Sequence, residues 1–282
     1  MASAAEPARV SKLRVKLGEE EMGHAKKTID YVEYRKKLIA ISHLTNPKEL
    51  DKELPGRFKY YPETLQPLPF EGISLIHNIE KPKARELQLS QIAQGFKCDL
   101  QNAGIVNRIA FVSLDSFHAT TFDLINYGEH REILAANGYD YTTVRMAVEK
   151  EAIKFADEIG PKLLAKAKIE SIGMFAPAVV KLNLTFHKVV EDIFQVYRTK
   201  LNNYLIDNVN GYLVVRKASW DQKLSGHITL GYVVSPMNEV EIDGFLEVMK
   251  KFNEEFNPIQ FDLTQGEVTR FTDMDNYSVV DF

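Results

Sequence analysis

Three of the seven histidines in this 282-residue chain have a threonine two positions later: His43 and Thr45, His118 and Thr120, His227 and Thr229. An imidazole moves a proton near neutral pH, and a hydroxyl donates a hydrogen bond to an oxygen. Side by side they suit a phosphoryl group, provided they share a face. Residues i and i+2 do so in a strand and do not in a helix. His118 lies in FHATTFDLI (117–125) and His227 in HITLGYVV (227–234), apolar, branched and aromatic runs that predict strands. His43 closes a helical segment just before Asn46-Pro47 and reads as an incidental helix-end residue. Two strand-borne pairs facing each other across a groove would supply one general base, one general acid and two hydroxyls. That is enough to open a cyclic phosphodiester without a metal.

The elements that must position these pairs follow from periodicity. Tyr31, Tyr34, Leu38 and Ile41 predict a helix over 30–43, and a short second helix follows Asn46-Pro47. Residues 55–72, with Pro55, Pro62, Pro67 and Pro69, predict an extended lead-in. Residues 73–79 predict a strand, and 83–103 a helix stopped by Gly104. RIAFVSL (108–114) predicts a strand ahead of the first His–Thr pair. Residues 126–165, punctuated by Gly128, Gly138, Gly160 and Pro161, predict a helical insertion between two β-rich halves. The second half predicts strands at 167–176 and 178–186 and a helix over 187–206. The second His–Thr strand, a helix over 239–256 and two last strands around a turn near Asp273–Asn276 complete it. GYLVVRKA (211–218) fits a strand or a helix end. Each half runs strand, helix, strand and carries one histidine pair.

Composition narrows the function. Hydrophobic residues at 45% and charged residues at 26% exclude a collagenous or mainly disordered chain. A net charge of −4 argues against neutralising the many phosphates of a long duplex, while one local phosphate site remains compatible. The single Cys98 excludes an internal disulfide framework and a cysteine-rich zinc site. No apolar run approaches the roughly 20 residues of a membrane helix, and residues 1–21 carry no apolar signal core. The chain holds no P-loop, dinucleotide-binding, nucleophile-elbow or zinc-protease motif. A cytoplasmic monomer with no cofactor, no metal and no membrane partner is the expectation.

SFHATTFDL and SGHITLGYV resemble the two signature motifs of the 2H phosphoesterase superfamily, in which histidine, any residue, Thr or Ser and an apolar residue recur twice. The second matches closely; in the first, Thr121 occupies the apolar slot before Phe122. The lead-in LPGRFKYYPETLQPLPFEGISLIHNI is similar to the start of an uncharacterised branch, the DUF1868-type proteins. The resemblance covers roughly residues 55–282. It implies an α+β, bilobal fold of two pseudo-symmetric lobes, each mainly antiparallel sheet with helices packed outside, around a central cleft. On that basis residues 1–50 are an N-terminal, partly helical extension and 51–282 the catalytic unit; by position alone, that extension and the 126–165 insertion are the segments expected to shape or cover the cleft. The resemblance further implies a metal-independent phosphodiesterase acting on 2′,3′-cyclic or short linear phosphodiesters of nucleotides. His118 and His227 would be the acid–base pair, with Thr120 and Thr229 on the phosphate oxygens and the two histidine roles unassigned. A non-nucleotide phosphodiester substrate, and a non-catalytic module that captures a nucleotide or RNA end, are the alternatives.

Other residues are secondary candidates. Arg270, on a late strand, is a candidate to add positive charge beside the phosphate, against the alternative of a solvated strand-edge arginine. Trp220 is a candidate to stack on a base, against the alternative of a packing role. Strict alternation turns Tyr232 to the face opposite His227. His77 and His187 read as structural.

Overall fold

The computed structural model describes residues 29–79, 83–159, 165–175, 178–215 and 226–280. Helix α1 (Tyr31–Ser42) starts where the Asp30 carboxylate accepts the Glu33 N–H, and α2 (Pro47–Glu53) where Asn46 caps Lys48 with Pro47 in the first turn. Then follow β1 (Gly72–Ile79), α3 (Lys83–Asn102), β2 (Ile109–Phe111) and β3 (His118–Asn126). The insertion forms α4 (Tyr127–Ala136) and α5 (Tyr141–Ile159). The second half comprises β4 (Ala165–Phe175), β5 (Val179–Phe186), α6 (Lys188–Asn208), α7 (Tyr212–Val215), β6 (His227–Val233), α8 (Glu239–Glu255), β7 (Ile259–Phe271) and β8 (Tyr277–Val279). In α8, Asn238 and Glu241 satisfy each other's backbone N–H groups in a capping box.

The fold is α+β. Every strand pairing among the described residues is antiparallel, in the order β1-β3-β6-β5-β4-β7, and β7 pairs back onto β1 to close a six-stranded barrel. Strand β2 adds to β6, and β8 to the last residues of β7. A strand in a closed barrel has one face inward and one outward, and the sequence obeys this. Leu182, Leu184, Ile228, Leu230 and Ala119 face outward into a core shared with α1, α3 and α8. Ile73, Leu75, Phe122, Leu124 and Val268 face outward onto α4, α5 and α6. Each fully buried Leu or Ile here contributes about 1.5–3 kcal/mol relative to exposure. One end of the interior is filled by Tyr60, Phe70, Ala110, Val179, Tyr232 and Phe271.

The resemblance implies two pseudo-symmetric lobes; the described strands form one continuous sheet. The joint is β7, 13 residues long, whose first part pairs with β4 and whose second part pairs with β1. Within the insertion, Val144, Val148 and Phe155 of α5 buttress β1 and β7 from outside. RIAFVSL yields only three strand residues, Ile109–Phe111, and residues 212–215 are a short helix. His43 caps the C-terminal end of α1, as its position suggested. No described helix is long and apolar enough to cross a membrane.

Candidate functional site

Strands β3 and β6 share a single ladder pair, Ala119 with Ile228, both side chains outward in the core. Directly opposed residues of an antiparallel pair point to the same side. The neighbours of that pair therefore all point inward: His118 stands opposite Thr229 and Thr120 opposite His227. All four are half-buried while Ala119 and Ile228 are buried. The two histidines stand on the diagonal across that pair, positions that in a regular antiparallel ladder lie about 7–8 Å apart, within reach of one bridging group.

The flanking strands extend this into two rows across the inner wall. Asn78 of β1 pairs with His118, and Lys181 of β5 with Thr229. In the other row Ile76 pairs with Thr120, Asn183 with His227, and Ser171 of β4 with Asn183. Lys181 is 5% exposed, so an ammonium group is held inside the barrel wall beside the second pair. Opposite it stands Gly173, where a Cβ would come within 2.6 Å of the Asn183 amide nitrogen; the missing side chain makes room for that amide, which donates to the Ser171 hydroxyl at 2.9 Å.

His118 is oriented through its backbone-side nitrogen. Its Nδ1 lies 2.6 Å from the Ser116 carbonyl oxygen. A carbonyl only accepts, so Nδ1 carries the hydrogen and Nε2 is the proton-accepting nitrogen of the neutral ring. Ser116 belongs to a 3-10 turn, Leu114–Ser116, whose preceding Ser113 N–H is held by the Asp275 carboxylate at 2.9 Å. The turn before β3 and the turn after β7 thus fix each other. On the other side of the His118 ring lies Tyr277 of β8, with ring centroids 4.4 Å apart. Burial, reinforced by Tyr232, Asp123, Tyr60 and Asp275 nearby, pushes the Tyr277 phenol well above its ordinary range and keeps it a neutral hydroxyl. Burial, opposed by the Ser113 N–H and aided by Asp273, raises the Asp275 carboxyl above its ordinary value. A cavity of about 610 Å³ opens here, lined among others by Asn78, His118, Asp275, Asn276, Tyr277 and Ser278.

Two expectations are corrected. Arg270 is not brought to the histidines. It pairs with Ile73, one position out of step with the inward Ser74 and Ile76, and so points outside. There its guanidinium grips Glu149 of α5 at 2.6 and 3.1 Å. Tyr232 is not on the far face from His227. The register shifts between Val180 and Lys181, so Val179 pairs with Tyr232 and Lys181 with Thr229. This β-bulge on β6 returns Tyr232 to the inner face, where Lys59 reaches its hydroxyl at 3.2 Å. Gly231 permits the bulge, because a Cβ there would meet the Ala110 carbonyl oxygen at 2.6 Å. Trp220 lies outside the described residues.

Lys181, Asn183, Asn78, Asp275 and Tyr277 were not singled out by the sequence. A Lys and an Asn two apart inside the apolar run AVVKLNLTF were the available signal: polar residues at strand period amid branched ones mark a polar inner face. His77 and His187 are structural, as expected: His77 is 2% exposed with Nδ1 on the Thr264 carbonyl, and His187 caps α6. Among the described residues, no group of three or more His, Cys, Asp or Glu side chains gathers in a way that could hold a metal ion.

No family model matches the chain, and no curated protein matches it. Among solved structures, it is similar to a conserved protein of unknown function from Agrobacterium tumefaciens: 18% identity, TM-score 0.56, covering 87% of this chain and 97% of that one. A Thermus thermophilus protein aligns over 74% of this chain and 95% of its own, at 14% identity and TM-score 0.41. At these identities the first likeness supports the fold, an α+β architecture, and leaves the chemistry to the residues themselves.

Proposed function

We propose that this protein is a phosphodiesterase of the 2H type, which hydrolyses a 2′,3′-cyclic or short linear phosphodiester of a nucleotide by His118/His227 acid–base catalysis. The observation that carries this reading is the register around Ala119 and Ile228, which sets both His–Thr pairs on one inner face. In this reading the bilobal description corresponds to two arcs of the barrel, β7-β1-β3 and β4-β5-β6, meeting at that one pair on one side and along β4 and β7 on the other.

The chemistry follows from the atoms present. One histidine takes a proton from water as its oxygen attacks phosphorus. The P–O bond to the ribose oxygen breaks, and the other histidine, protonated, hands its proton to that oxygen. The product is a phosphomonoester with a free hydroxyl, and the proton inventory is restored by exchange with solvent. The Thr120 and Thr229 hydroxyls donate to the non-bridging oxygens, and the Lys181 ammonium, opposite Thr229, offsets the charge that builds there. The Ser116 carbonyl holds His118 in the tautomer with Nε2 facing the reaction.

The test is turnover of 2′,3′-cyclic nucleotides and of short 2′–5′ and 3′–5′ oligonucleotides in EDTA. Turnover that survives chelation and disappears in His118→Ala and in His227→Ala is expected. Loss of turnover on chelation, or full activity in both variants, would overturn the mechanism.

A further inference from the structure

The cavity beside His118 has a wall with an unusual polarity. Three of the polar side chains that line it spend a donor within the protein. The Asn78 amide nitrogen donates to Glu267 at 2.9 Å, and the Asn276 amide nitrogen to both Asp273 oxygens at 2.9 and 2.8 Å. The Ser278 hydroxyl donates to the Arg270 carbonyl at 3.3 Å. An amide facing a carboxylate must present its nitrogen, so neither Asn can be turned around. Each amide keeps its carbonyl oxygen available as an acceptor. Asp275 uses one oxygen on the Ser113 N–H and has a second. The wall is therefore rich in acceptors, and the Tyr277 ring adds an aromatic surface to it. A cavity near 610 Å³ has the size for a nucleoside.

Resting on the phosphodiesterase reading above, we propose that this cavity is the base subsite and that it selects a nucleobase bearing an exocyclic amine, held by Asp275 and the Asn78 and Asn276 amide oxygens over the Tyr277 ring. Cytosine and uracil test this cleanly. They are nearly the same size; cytosine carries an exocyclic amine beside a bare ring nitrogen where uracil carries a carbonyl beside a ring N–H, so only cytosine offers an exocyclic donor. A carbonyl set against a carboxylate has no donor to meet and leaves both desolvated.

The experiment is equilibrium binding of cytidine 3′-monophosphate and uridine 3′-monophosphate to the full chain, followed by calorimetry. The wild-type protein should prefer the cytidine nucleotide by about tenfold or more. Asp275→Asn still accepts from Ser113 and can turn an NH₂ toward the guest, so the preference should vanish or invert. Tyr277→Leu removes the ring and spares the acceptors; it should weaken both nucleotides by a similar factor and keep their ratio. Equal wild-type affinities, no binding of either nucleotide, or a ratio unchanged in a folded Asp275→Asn protein would overturn the proposal. The two readings separate: cyclic nucleotides bound with the cytidine preference but not turned over would sink the catalytic reading alone, and turnover without base preference would sink the subsite alone.

Discussion

Ala119 of β3 and Ile228 of β6 form the one residue pair that joins these two strands, and both side chains lie in the outer core. Two buried apolar residues thereby set the register of the four polar side chains that flank them on the inner face.

Removing either histidine should abolish most catalysis while leaving the barrel intact. For His118→Ala and His227→Ala we expect kcat to fall about 10²–10⁴-fold in each, with the double variant losing little more, because the two act as one unit. Tm should move little, since both side chains are only half-buried. Steady-state rates on a 2′,3′-cyclic nucleotide, alongside thermal melts, check both statements.

The hydroxyls and the ammonium should matter less than the histidines. Thr120→Val and Thr229→Val keep shape and remove one donor each, and kcat/KM should fall roughly 10–100-fold for a bond to a charged oxygen. Lys181→Met, of similar length without charge, should lower kcat by a comparable factor and flatten the salt dependence of kcat/KM. If Lys181→Met leaves both unchanged, the ammonium does not face the phosphate.

Arg270 should be a stability residue. Glu149 is 5% exposed and is held by Arg270 and, at 3.3 Å, by Arg145 of its own helix. Arg270→Met takes away the stronger partner of a buried carboxylate. Because the Arg270 side chain is itself 45% exposed, solvent screens the pair, and a loss of about 1–3 kcal/mol is expected rather than the full cost of an orphaned buried charge. Denaturant melts should register that loss while kcat stays at the wild-type value. A drop in kcat with unchanged stability would contradict the outward orientation.

Two buried histidines should make the fold acid-sensitive. Burial lowers the pKa of His77 and of His130 below the ordinary 6.5, against the opposing pull of their backbone and charged neighbours. A group whose folded pKa is lower than its unfolded one binds protons preferentially when unfolded. The stability it contributes is complete above about 6.5 and declines as the pH falls further, by at most about 1.4 kcal/mol per pH unit for each group. Tm should therefore drop between pH 7 and pH 5, and the slope should be shallower in His130→Asn or His77→Gln. A Tm independent of pH over that range would show that neither ring is buried neutral.

Much of the site was legible in the chain because alternation along a strand is local. FHATTFDLI and HITLGYVV declare themselves as strands, and a strand puts i and i+2 on one face whatever it pairs with, so each histidine and its threonine could be joined before any fold was known. The helices of α1, α3, α6 and α8 were equally legible, since their apolar stripes and caps lie within a few turns of one another. What depended on distant partners was not. Whether the two pairs face the same way rests on the register of Ala119 with Ile228, more than a hundred residues apart, and register is decided by which residues the outer core will bury. The bulge that turns Tyr232 inward is visible only in the register of β6 against Lys181 and Val180 on the neighbouring strand. Arg270 faces outward because β1 dictates the phase of β7, and Tyr277 reaches His118 only because β8 folds back along β7 as the barrel closes. The sequence by itself determined the groups and their local pairing; the closing of one sheet upon itself decided which of them meet.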